Sequence, residues 1–120
     1  MTDDEIDALP AGLELDIAVE QSVMPGNIHL DHLDRSLRFL TRELIARYST
    51  DMQAAWQVIV MVRGWNVSGR QQFLRELLEE VSKGAQFPIA HDELLWNMRP
   101  EHVCRAALKA SRRNKKATGY

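Results

Sequence analysis

Apolar positions along this chain recur mostly every three or four residues, the spacing of one face of an α-helix. The most apolar stretch, Tyr48 to Asn66, is where the reading is built from. Ser49, Thr50 and Asp51 can accept hydrogen bonds from the free amides of a helix start, and with Thr50 as the cap, Gln53 falls at the capping-box position. Met52, Ala55, Trp56, Ile59 and Val62 then share one face while Ala54, Val58 and Met61 fill much of a second, which predicts a helix buried on most sides. Gly64 can end it in a left-handed conformation, with Arg63 set against the negative end of the dipole. A strand through Val58 to Val62 is the competing reading, but it leaves the cap and the earlier periodicity unused.

The flanking segments read the same way. Leu30, Leu33, Leu37, Leu40, Leu44 and Tyr48 step by three and four, giving a helix supported by Asp31 with Arg35, Asp34 with Arg38 and Glu43 with Arg47. Leu13 to Met24 fits both a strand and a helical face, and helix is the choice; Pro25, Gly26 and Asn27 end it. After Trp65, Ser68 and Gln71 repeat the capping pattern ahead of Phe73, Leu77 and Val81, and Gly84 stops that helix. Phe87, Pro88 and Ile89 read as extended, and His91 to Met98 as a short turn. Pro100 opens a last helix whose inner face is Val103, Cys104, Ala107 and Leu108, with Ala106, Ala107 and Ala110 small enough for close helix approach. The expectation is a mainly α, single compact domain over 13–110, with about five helices around a central buried one and room for a short strand pair near Val67 and Ile89. Residues 1–12 read as a flexible acidic lead and 111–120 as a basic solvated tail.

Three pieces of this pattern resemble a known family: Glu14-Leu15-Asp16 with Val19 and Val23-Met24, then Tyr48-Ser49-Thr50-Asp51 with Ala54-Ala55-Trp56 and Val58, then Val103 to Ala110. In that order they resemble the phage ABA sandwich domain family, small proteins of bacteriophages and prophages with helices around a sheet. The pieces cover less than half of the chain. Where members of that family carry strand-forming sequence after the central helix, this chain has Arg70 to Lys83, which reads as helix. The resemblance implies a phage or prophage origin and an accessory role inside the host cell, and it brings no catalytic residues with it.

Charge changes the picture more than composition does. With 120 residues, 45% hydrophobic and 27% charged, the chain is an ordinary globular domain, and no apolar run approaches a membrane span. The acidic N-terminus is unlike a signal peptide, so a cytoplasmic location in the host is expected. The net charge of -2 hides a strong asymmetry. Residues 1–34 carry nine acids and no Lys or Arg, whereas 97–120 carry seven bases against Glu101, or about -9 and +6. Either the two ends lie together and neutralise, or one of them docks a partner.

Candidate chemistry is sparse. His29 and His32 share a helical face and His102 sits near Cys104, but no paired Cys or His-Glu-X-X-His spacing makes a zinc site of them. Cys104, the single cysteine, lies in an alanine-rich packing helix, a poor setting for an activated thiolate. Asp92-Glu93 and Glu79-Glu80 are adjacent on a helix and diverge, and no Gly-Lys-Ser or Gly-Lys-Thr loop is present. The sequence therefore points away from an enzyme, a metal and a cofactor, and toward binding of a macromolecule. A host protein is the first expectation, with inhibition of a bacterial defence system of the anti-CRISPR or anti-restriction kind as one concrete form. The candidate contacts are Asp3, Asp4, Glu5 and Asp7 at the acidic end, Trp96 beside the break at Arg99-Pro100, and Arg105, Lys109, Arg112, Arg113, Lys115 and Lys116 at the basic end. The alternative is a nucleic-acid-binding protein using that basic helix and tail. A homodimer is compatible with ends of opposite charge.

Overall fold

A computed structural model of the protein describes residues 1–24, 45–83 and 94–113. Among them the chain forms six helices and no strand, arranged as one mainly α domain. The helices are α1 (Asp3–Ala8), α2 (Leu13–Ser22), α3 (Met52–Arg63), α4 (Val67–Ser82), α5 (Leu94–Asn97) and α6 (Pro100–Arg113). The predicted Leu30 to Tyr48 helix, the extended Phe87 to Ile89 segment, His29, His32, Asp92, Glu93 and the tail beyond Arg113 lie wholly or largely outside the described residues. Val67, expected near a strand pair, instead opens α4.

The hub is α6. It packs most extensively against α4, then against α3 and α2, and it also meets α1, whereas α3 and α4 touch each other only slightly. This corrects the expectation that the tryptophan-bearing α3 is the enveloped centre. On α3 one face is buried, through Ala54, Ala55, Val58 and Val62, while Trp56 and Val60 face solvent. A hub must let several helices approach at once, and α6 does so with Ala106, Ala107 and Ala110, all fully buried and short enough to let neighbouring backbones close in. The expected inner face of Val103, Cys104, Ala107 and Leu108 is buried as well, within one continuous apolar core.

Several helix ends differ from their sequence-based expectation. The acidic lead is not frayed over its whole length: Thr2 and Glu5 form a reciprocal capping box that starts α1, and Ile6 is buried in the core. On α3 the cap is Asp51, whose carboxylate accepts the Gln53 amide at 2.9 Å, in place of Thr50. Gly64 ends α3 in the right-handed region, with φ of -79°, so no left-handed residue is used there. Asn66 caps α4 by accepting the Gly69 amide, two residues ahead of the expected Ser68. Pro100 opens α6 as expected, but the helix runs on to Arg113, three residues into the segment read as tail.

A buried polar node fixes the start of α2 against the turn before α3. Asp16, fully buried on α2, accepts the Ser49 amide and the Ser49 hydroxyl, each at 2.7 Å. The hydroxyl oxygen in turn accepts the Gly12 amide at 2.8 Å. Gly12 has a φ of +145°, a conformation open to glycine and strained for other residues, and it lets the chain enter α2 from the side on which Ser49 waits. One turn further on, the Tyr48 hydroxyl donates to Glu20 at 2.7 Å; burial, helped by that carboxylate, pushes the phenol pKa up and keeps it protonated.

Candidate functional site

The two charged ends of the chain meet. Residues 9, 7 and 3 run past Arg105, Lys109 and Arg112 in order, so α1 lies antiparallel along α6. Arg105 donates to the Leu9 carbonyl at 2.9 Å, Lys109 to Asp7 at 2.7 Å and Arg112 to Asp3 at 2.6 Å. The spacing of four and three on α6 is one helical turn per contact, which makes the ladder regular. Arg113 completes it by pairing with both Asp3 and Glu76.

The centre of this clasp is a buried lysine. Lys109, only 4% exposed, pairs with Glu80 of α4 as well as with Asp7 of α1. Lys83 bonds the same two acids from the solvent side, at 2.9 Å to Glu80 and 3.0 Å to Asp7. Burial works against a charged lysine, but the bonds from Asp7 and Glu80 outweigh it and raise the Lys109 pKa. Burial likewise pushes the Asp7 and Asp3 carboxyls up, and the bonds and charges of Lys109, Lys83, Arg112 and Arg113 overcome it, leaving both below the usual carboxylate range. Asp3, Asp7 and Lys109 are therefore ionised at neutral pH.

The clasp accounts for most of the sequence-derived contact residues. Asp3, Asp7, Lys109, Arg112 and Arg113 are engaged with one another, and Arg105 is turned onto backbone. Lys109, expected on a docking surface, is instead a core residue: its stem lies on the packed face of the hub helix. Of the acidic group, Glu5 serves the α1 cap and Asp4 is exposed. Lys115 and Lys116 lie outside the described residues. Glu76 was missed by the sequence reading and Glu80 was weighed only as half of an adjacent carboxylate pair, yet the signal was there: they sit one turn apart between Phe73, Leu77 and Val81, on the inward stripe of α4.

Trp96 is placed as expected. It stands 81% exposed on the single turn of α5, beside exposed Leu95, while Leu94 of the same turn packs against the core. The other tryptophans divide: Trp65 is buried at 4%, whereas Trp56, expected on the buried side of α3, is 46% exposed. Trp96 and Leu95 are thus two large apolar side chains, adjacent in the chain and both open to solvent.

The remaining candidates carry little chemistry. Burial, with the Asp16 carboxylate nearby, pushes the Cys104 thiol well up, so it stays a protonated packing residue. His102 accepts the Arg99 amide through Nδ1 at 3.0 Å, reaching back over the first turn of α6. Its pKa is lowered, by burial first and by Arg99 and Arg105, against the pull of Glu101 and Glu80. Among the described residues no group of three or more His, Cys, Asp or Glu side chains is placed to hold a metal ion, and no helix is long and apolar enough to cross a membrane.

The chain significantly matches no protein-family model, no curated protein and no solved structure. The three sequence pieces that carry the phage resemblance do come together in space. Asp16 bonds Ser49, and Val19, Ala55, Val58, Val103, Cys104 and Ala107 are all fully buried in the shared core. These are residues of packing and of the polar node, so what they carry is architecture.

Proposed function

We propose that this protein is a small phage or prophage accessory protein that acts by binding a host protein without catalysis, inhibition of a bacterial defence system of the anti-CRISPR or anti-restriction type being one concrete form. The origin rests on the resemblance in sequence. The binding reading rests on one observation, the exposure of Trp96 and Leu95 on a turn whose third apolar residue, Leu94, is tied to the core. Such a pair sits on a helical turn tied to the core, and holding an anchor in place before binding lowers the entropic cost of using it. The charged ends support a purely electrostatic dock less well, because Asp3, Asp7, Lys109, Arg112 and Arg113 already satisfy each other. A nucleic-acid-binding role through the basic helix and tail would have to draw on those same cations together with Lys115 and Lys116.

Retention of a host protein on the immobilised full chain tests this. Bacterial lysate is passed over wild type, Trp96→Ala and an Asp4→Asn/Glu5→Gln variant, which keeps the α1 capping box, each shown by circular dichroism to melt alike. The expected result is one host protein retained by wild type and by the charge variant, and lost by a factor of roughly 30 or more with Trp96→Ala, the size of a hot-spot truncation. Retention that follows Asp4 and Glu5 instead, or that consists of nucleic acid and vanishes at high salt, overturns the reading.

A further inference from the structure

From Met52 to Arg75 the chain contains no Asp or Glu and three arginines, in a protein whose net charge is -2. This stretch is all of α3, the turn and the first half of α4. Its solvent side is also the most apolar run of exposed positions in the described residues. Trp56 and Val60 stand one turn apart on α3, and Val67 and Leu74 stand two turns apart on α4, all exposed. Arg63 falls one turn after Val60 and Arg70 between Val67 and Leu74; both are exposed and make no ion pair with any described residue.

We infer that the outer side of α3 and the first half of α4 is a docking surface for an acidic amphipathic helix of a partner protein. This rests on the protein-binding reading above and adds to it a second surface and the chemistry of its occupant. The argument is complementarity. On each of the two helices an exposed apolar pair shares its face with an arginine that pairs with no described residue, and no carboxylate occurs between Met52 and Arg75; such a face is matched by a helix that carries aliphatic residues on one face and acids at its margins. The molecule already uses this mode within itself: α1, an acidic helix, buries Ile6 and sets Asp3 and Asp7 on the cations of α6. Nucleic acid is a weaker match, since three of the four apolar residues are aliphatic and offer no stacking surface to a base. An anionic bilayer is weaker still, with only three cations to attract it.

The test is fluorescence anisotropy on the full chain, using a labelled helical peptide of about 20 residues, long enough to span both rows, with Leu on one face and Glu elsewhere. The comparators are a scrambled peptide of the same composition, an oligothymidylate of similar length and phosphatidylserine vesicles. Saturable binding of the patterned peptide, weakened about 10-fold or more by Val60→Glu and by Arg63→Glu/Arg70→Glu but unchanged by Trp96→Ala, supports the inference. Equal binding of the scrambled peptide, tighter binding of oligonucleotide or vesicle, or indifference to Val60→Glu overturns it. So does a concentration-dependent dimer that Val60→Glu converts to monomer and the peptide fails to disrupt, because the occupant is then a second copy. If the peptide fails while lysate retention still depends on Trp96, this surface falls and the binding reading stands; if the peptide binds and lysate retention fails, the reverse holds.

Discussion

Lys109→Met tests the central structural claim, that α1 and α4 are joined to the hub helix through one buried cation. The substitution keeps the length and apolar stem of the side chain and removes only its charge. Glu80, 4% exposed, then loses its buried partner while keeping the solvent-side bond from Lys83. Breaking one side of a buried pair costs roughly 3–5 kcal/mol; with Lys83 still in place the expected loss is about 3 kcal/mol. That is a large part of the roughly 5–15 kcal/mol that stabilises a domain of this kind, and it should lower the melting temperature by about 12 °C. Removing the acid as well, in Lys109→Met/Glu80→Leu, takes away the uncompensated charge and should recover at least about half of the loss, since an apolar replacement of both partners is often near neutral.

Urea denaturation followed by circular dichroism measures the cycle, and pH gives an internal check. The Asp7 carboxyl is held below its ordinary 3.8, so its part of the clasp is complete above that value and falls away as acid protonates it below. Lys109 is raised above its ordinary 10.5, so its part is complete below 10.5 and is lost only as pH climbs through the raised value. The difference between wild type and Lys109→Met should therefore be flat between these limits. A single-variant cost under about 1 kcal/mol, or a double variant that loses the full sum of the two singles, would refute the claim that the pair is buried and coupled.

Two further outcomes follow from the polar contacts. Ser49→Ala removes the hydroxyl that bonds buried Asp16 and accepts the Gly12 amide, and it should cost about 1–3 kcal/mol in thermal or urea unfolding; a loss within about 0.3 kcal/mol would mean the node is not closed in solution. His102 accepts the Arg99 amide only when neutral, and its lowered pKa means that its contribution is present above 6.5 and lost as pH falls through the depressed value. His102→Gln keeps an acceptor in reach of the same amide and should abolish that acid-side loss, of the order of 1 kcal/mol between pH 7 and 5; identical pH slopes in the two proteins would contradict the cap.

The longer helices were legible because each carries its own signal, whereas α1, six residues long, was read as part of a flexible lead. The stripe Phe73, Leu77 and Val81 marks the buried side of α4, and Pro100 with Val103, Ala107 and Ala110 marks α6, without reference to any other part of the chain. Periodicity of this kind reports which face is covered. It is silent about what covers it, and that is why α3, rich in valine and methionine, looked like the centre while Trp56 and Val60 proved to be outside. Alanines contribute little apolar area, so α6 looked modest on its own; their value lies in how closely four other helices can reach it.

Charge shows the same division. The sequence alone determined that the two ends are opposite in sign, because that is a matter of counting residues. Only the tertiary structure decided that they meet, that Asp3 and Asp7 find Arg112 and Lys109, and that Glu80 is buried beneath them. Pairing depends on distance and desolvation, and both are set by how α1, α4 and α6 converge; a one-dimensional pattern contains neither.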